Sequence, residues 1–134
     1  MVKPPIRQEQ LNRYAAASGD SNPIHLNEEA AHRVGLDSII AHGMLSMAFL
    51  GQYISRQITS DPQALLASLK VRYVGMVRLG DTLTCSGLVK NITVAGGQTT
   101  ITIECRAQNQ GGENVTVGEA EVVVPLTQTT GVNA

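Results

Sequence analysis

The stretch SIIAHGMLSMAFLGQYIS, from Ser38 to Ser55, carries no formal charge, and the chain after it changes rhythm from Leu65 onward. A run of this length approaches a membrane span. His42, Gly43, Ser46, Gly51 and Gln52 dilute it below a spanning signal, so it reads as a helix apolar on nearly every side and buried in the protein's own core. The helix is expected to start near His42-Gly43 and to stop before TSDP, where Pro62 bars continuation. Whatever else the chain builds must cover this helix.

From Leu65 the apolar period drops to two. LKVRYV places Leu69, Val71 and Tyr73 on one face; TITIECRA places Ile101, Ile103, Cys105 and Ala107 on one face, with Thr102, Glu104 and Arg106 on the other. AGGQ and NQGGEN are tight-turn signals that make successive strands antiparallel. In TLTCSGLVKNITV the apolar set changes parity near Gly87, and it changes again near Gly118, each the mark of a bulge or a sharp coil. These features predict a meander of four long strands, strongly curved, with one apolar helix to cover. The expected fold is α+β, a curved antiparallel sheet wrapped around a long central helix, with residues 1–134 as a single domain.

The first third of the chain reads as short helices and one stiff loop. In RQEQLNRYAAASG, Leu11, Tyr14, Ala15 and Ser18 recur at helical spacing, and Gly19 suits the left-handed position that ends a helix. Asn27 caps a second helix with Glu28 and Glu29 in its first turn and Gly35 as its stop.

Composition excludes several functions. Ten basic and eleven acidic residues give a net charge of −1, the basic residues are scattered, and three tyrosines and one phenylalanine are the only aromatics. That is neither the basic stripe nor the stacking platform of a nucleic-acid binder. Cys85 and Cys105 lie far apart, without the spacing of a zinc or redox site, and read as small buried hydrophobes. No charged segment precedes an apolar one at the N-terminus, so the expectation is a cytoplasmic protein without a membrane partner.

The loop SGDSNPIH sets Asp20 five residues before His25 across a turn stiffened by Pro23, which also restricts Asn22. A carboxylate and an imidazole facing one water can orient it and accept its proton. The same spacing also fits a simpler arrangement, in which Asp20 caps the next turn and His25 is a satisfied, partly buried histidine. Gly43, where the central helix begins, brings an N–H without an intrahelical partner at the positive end of the helix dipole. Such a donor can hold an oxyanion, and an isolated glycine can equally serve close packing.

YAAASGDSNPIHLNEEAA, with IAHGML after it, resembles the signature of the MaoC-like, or (R)-specific enoyl-thioester hydratase, family of hot-dog proteins. Tyr14, Gly19, Asp20, Asn22, Pro23, His25 and Ala30 fall in register with it, and VRYVGMVRLGDTL, with Gly80-Asp81, is similar to the family's later strand and turn. The resemblance implies that Asp20 and His25 activate the water that adds to a trans-2-enoyl thioester, carried by CoA or acyl carrier protein. It implies that the Gly43 amide polarises the thioester carbonyl, with no metal and no redox cofactor. Asn22, His42, Met44 and Met47 are candidates for substrate binding or support. His32, Arg72, Tyr73 and Arg78 read as surface groups.

Two departures stand out. Gly51 occupies a position where some family members carry serine, and MVKPPIRQ leaves little room for a first strand before the helix. The resemblance also implies a homodimer or higher homo-oligomer, and exposed sheet edges independently favour pairing. The alternatives are a hot-dog thioesterase and a noncatalytic acyl-binding subunit; the spacing of Asp20 and His25 speaks against the first and the retention of both against the second.

Overall fold

The computed structural model describes residues 1–58 and 60–126, and the statements that follow concern those residues. Helix α1, Gln8–Ser18, buries Leu11 and Ala15, and Gly19 ends it with φ 80°, its N–H donating to the Ala15 carbonyl at 2.9 Å. Helix α2, Glu28–Arg33, is capped by Asn27, whose side-chain oxygen accepts the Ala30 N–H at 3.0 Å. Helix α3, Gly43–Gln57, is the central helix, starting where the sequence places it. Strands β1 (Leu65–Tyr73), β2 (Thr84–Ala95), β3 (Gln98–Gln108) and β4 (Asn114–Pro125) form one antiparallel sheet against it.

The order across the sheet is β1-β4-β3-β2, so the expected four-strand meander holds only for β2, β3 and β4. Tight turns join those three, whereas the Gly80-Asp81 turn sits within a longer connection between β1 and β2. Residues 74–83 instead carry the chain from one edge of the sheet to the other. That crossing is pinned on the way: the Ala41 N–H donates to the Val77 carbonyl at 2.7 Å, Ile40 bridges Arg78, and the Gly80 N–H donates to the Ile6 carbonyl at 2.8 Å.

The register slips also lie elsewhere than at the two glycines. They fall between Leu66 and Ser68, between Val89 and Asn91, and between Ala107 and Gln108. The extra residue at Lys90 lets Val89 pair with Ile103 and Ile92 with Ile101, so Val89, Ile92 and Val94 stay on the helix side while Leu88 faces outward opposite Glu104. Gly87 and Gly118 serve close approach. They pair with Cys105 from either side, and Val71 lies beyond Gly118, in one helix-facing row of small side chains. A β-carbon at Gly87 would stand 3.3 Å from the Tyr53 ring, and one at Gly118 would overlap the Lys70 carbonyl oxygen. The row is the crease along which the sheet folds over α3.

Leu50 and Ile54 of α3 are fully buried against Leu83, Cys85, Ile103, Ala107, Val115 and Ala120. Each large aliphatic side chain so buried contributes about 1.5–3 kcal/mol. Burial pushes the Cys105 thiol from its ordinary 9.0 up to about 11, with Cys85, Glu104 and Glu119 adding, so it is no nucleophile at neutral pH. The helix is nevertheless not covered on every side. Leu45, Ser46, Phe49, Leu50, Tyr53 and Ile54 are buried, while Gly43, Met44, Ala48 and Ser55 are exposed.

The N-terminal segment supplies a vestige of the first strand. Val2 bridges Thr84, the Lys3 N–H donates to the Leu83 carbonyl at 2.8 Å, and the Cys85 N–H donates to the Met1 carbonyl at 2.7 Å. It covers only the first residues of the β2 edge. Among the described residues no helix is long and apolar enough to cross a membrane.

Candidate active site

The loop between α1 and α2 is built from successive side-chain-to-backbone turns. Ser18 Oγ accepts the Asp20 N–H at 3.1 Å, Asp20 Oδ1 accepts the Asn22 N–H at 3.2 Å, and Asn22 Oδ1 accepts the Ile24 N–H at 3.2 Å. Asn22 is therefore occupied in holding the loop and caps the single 3-10 turn Pro23–His25. That turn aims the His25 ring inward, leaving the residue 7 % exposed. Gln8 Nε2, on α1, clamps the loop by donating to the His25 carbonyl at 3.0 Å.

His25 Nδ1–H donates to the Ile40 carbonyl at 2.7 Å. A carbonyl can only accept, so Nδ1 carries a proton, and in the neutral ring Nε2 offers the lone pair. Nε2 stands 4.0 Å from Asp20 Oδ2, and the Asp20 side chain is half exposed. Two acceptors at that separation are too far apart to bond directly. One water about 2.8 Å from each can donate a hydrogen to both. Asp20 thus does cap a turn, through Oδ1, and leaves Oδ2 directed at the imidazole.

His42 joins this loop to the central helix. Its side chain makes no capping bond; Nε2–H donates to the Asp20 carbonyl at 3.0 Å. Its ring stacks on His25 with centroids 4.0 Å apart and planes at 29°, and the Tyr14 ring meets it edge-on at 4.7 Å. Ligand-type atoms of Asp20, His25 and His42 lie within 4.8 Å of one another. Of these, His42 Nε2 is already engaged with the Asp20 carbonyl and His25 Nδ1 with the Ile40 carbonyl.

Gly43 follows directly, exposed at the start of α3. The Tyr73 ring lies against it: a β-carbon on Gly43 would be 3.3 Å from Tyr73 Cδ1 and Cε1. The Tyr73 hydroxyl donates to Met47 Sδ at 3.7 Å. Burial raises its phenol above the ordinary 10.0, with Tyr14 adding to the shift. Tyr73 is exposed, as expected of a surface strand residue, and its ring also packs on Gly43. The available signal for that packing was its parity with Leu69 and Val71.

From this corner an open groove of about 480 Å3 runs between α3 and β1, lined by Tyr14, Met44, Met47, Gly51, Leu66 and Leu69 among others. Met44 is largely exposed on its rim. Gly51 keeps the floor low, because a β-carbon there would be in ordinary contact, 3.9 Å, with Leu66 and Leu69. A wider hollow of about 890 Å3 lies on the outer face of the sheet among Lys70, Arg72, Glu104, Arg106 and Glu119, away from every imidazole. His32 is exposed, its Nε2–H donating to the Asp37 carbonyl at 3.0 Å. The chemistry therefore concentrates where Asp20, His25, His42 and Gly43 meet, next to Tyr14 and Met44 of the groove's lining.

Comparison with known proteins gives concordant results. Residues 2–123 match the family model of the MaoC like domain. An (R)-specific enoyl-CoA hydratase of Rhodospirillum rubrum is 32% identical over 124 residues, covering 90% of this chain and 81% of that protein. The fatty acid synthase beta subunit TOXC of Cochliobolus carbonum is 32% identical over 114 residues, 85% of this chain but 5% of that subunit's length. Among solved structures, the unliganded R-hydratase PhaJ1 from Pseudomonas aeruginosa superposes with a TM-score of 0.81 at 31% identity, covering 95% of this chain and 79% of that one.

Proposed function

The chain belongs to the MaoC-like family, and from that premise we propose that it is a hydro-lyase that adds water reversibly and (R)-specifically to trans-2-enoyl thioesters. In reverse it dehydrates (R)-3-hydroxyacyl thioesters. The observation that carries this reading is His25 Nε2 held 4.0 Å from the Asp20 carboxylate, a separation that one water seated off the line between them can bridge. That water gives its oxygen to the β-carbon and a proton to the dyad. The electron pair of the double bond moves toward the thioester carbonyl, whose oxygen the Gly43 N–H receives. As the enolate collapses, the dyad returns that proton to the α-carbon, so one water is added overall and the dyad is restored. The helix-end donor acts where charge develops, which makes it worth more in the transition state than in the ground state.

The acyl chain of a CoA or acyl-carrier-protein thioester fits the groove beside Met44, Met47 and Gly51, whose lining is largely apolar. Free, buried Cys85 and Cys105 suit a reducing compartment such as the cytoplasm. Pairing into a homodimer is supported by the β2 edge. Beyond the residues covered by the N-terminal segment, Val89, Ile92 and Val94 are exposed along an edge strand with no neighbouring strand among the described residues.

The test is the loss of conjugated enoyl-thioester absorbance when the purified protein meets crotonyl-CoA and a longer trans-2-enoyl-CoA. Wild type should consume substrate and yield the (R)-3-hydroxy thioester. Asp20→Asn and His25→Ala should each slow turnover by about 10²–10⁴-fold, the first with unchanged thermal melting and the second with its circular dichroism retained. Full activity in Asp20→Asn would sink the assignment of the dyad.

A further inference from the structure

We propose that the buried hydroxyl pair of Thr116 and Ser46 is a positioning relay that sets the amides at the start of α3, an inference that rests on the hydratase reading of Gly43. Ser46 is 3 % and Thr116 1 % exposed, and their hydroxyl oxygens lie 2.6 Å apart between helix and sheet. Ser46 Oγ–H donates to the Gly43 carbonyl at 2.8 Å. A serine hydroxyl has one hydrogen, so the bond between the two hydroxyls runs from Thr116 to Ser46. The relay is directional: Thr116 O–H to Ser46 Oγ–H to the Gly43 C=O, each bond polarising the next.

The carbonyl of Gly43 and the N–H of Met44 share one planar peptide unit. Holding the oxygen therefore aims the Met44 N–H, a first-turn donor without an intrahelical partner, beside that of Gly43. The peptide unit before it is held too, since the His42 carbonyl accepts the Leu45 N–H at 3.1 Å and the His42 ring is tethered to Asp20. Thr116 also pairs across the sheet with Tyr73, whose ring rests on Gly43. One cross-strand pair thus holds the oxyanion turn at two points, on the α-carbon of Gly43 and on its carbonyl.

A merely structural role predicts something different. When both members of a buried hydrogen-bonded pair are replaced by apolar groups of similar shape, stability changes little. The double variant Ser46→Ala/Thr116→Val therefore separates positioning from folding. Its melting temperature should stay close to that of wild type and its KM within about twofold, while kcat falls about tenfold, a fraction of the 10²–10³ that loss of an entire oxyanion donor costs. Because the relay acts as a unit, Thr116→Val alone should lose as much as the double variant, and Thr116→Ser should restore turnover.

Proton–nitrogen NMR gives a readout independent of turnover: the Met44 amide resonance should move in Thr116→Val and return in Thr116→Ser. Retention of kcat in the double variant, a loss that follows melting temperature instead, or an unmoved Met44 resonance would each overturn the relay. A wild type inert toward every enoyl thioester would defeat the hydratase reading by itself, and the Met44 resonance would still decide whether the relay sets that amide.

Discussion

Two demands meet at Gly43. Among the described residues nothing accepts its N–H, and its lack of a side chain lets the Tyr73 ring close over the turn. Two substitutions separate these roles. Gly43→Ala adds a β-carbon that presses on Tyr73 but keeps the N–H. Gly43→Pro adds similar crowding and removes the donor, at a helix position where proline is well tolerated. The preceding residue, His42, already has φ −59° and ψ 132°, the extended geometry that a following proline requires. Gly43→Pro should therefore fall below Gly43→Ala in kcat by about 10²–10³-fold, with far-ultraviolet circular dichroism showing the helix intact in both. Equal rates in the two variants would remove the Gly43 N–H from the reaction.

At the scale of elements, the loop before α2 and the crease in the sheet do complementary work. The loop is stiff because Ser18, Asp20 and Asn22 each bond the backbone two residues on, and Gln8, the Ile40 carbonyl and His42 hold it from neighbouring segments. The crease gives the sheet the curvature to embrace α3 on one side while leaving its other side open to the groove. Gly118→Ala would force a β-carbon onto the Lys70 carbonyl and spread β1 from β4, costing about 1–3 kcal/mol or more. Urea unfolding should show a lower midpoint for this variant, with a smaller drop for Gly87→Ala, whose nearest conflicts are at 3.0–3.3 Å. An unchanged midpoint in Gly118→Ala would show that the crease does not need the glycine.

Among the described residues, the outer edge of β2 is covered by another segment only at its start. Strand β2 continues well beyond the short N-terminal bridge, and the slip at Lys90 keeps Val89, Ile92 and Val94 on the helix-facing side, where α3 leaves them exposed. A second copy joining edge to edge would satisfy the free backbone groups and cover these side chains together. Ile92→Glu should then shift the protein from dimer to monomer by light scattering coupled to size-exclusion chromatography, without altering its circular dichroism. A variant that stays dimeric would place the interface elsewhere.

The sequence by itself determined whatever depends on residues a few positions apart. The caps at Gly19 and Asn27, the start of α3, the faces of β3, and the nearness of Asp20 to His25 are all of this kind, because turns, capping and periodicity are local interactions. Only the tertiary structure decided where distant segments meet. It placed β1 beside β4, laid Tyr73 on Gly43, tethered the His42 ring to a carbonyl 22 residues away, and brought Thr116 to Ser46 across 70 residues. It also left one side of α3 open where apolar composition suggested burial all round. These outcomes turn on how the sheet curls and on which strand edges pair, and many residues set both jointly, so no short stretch of sequence carries the signal.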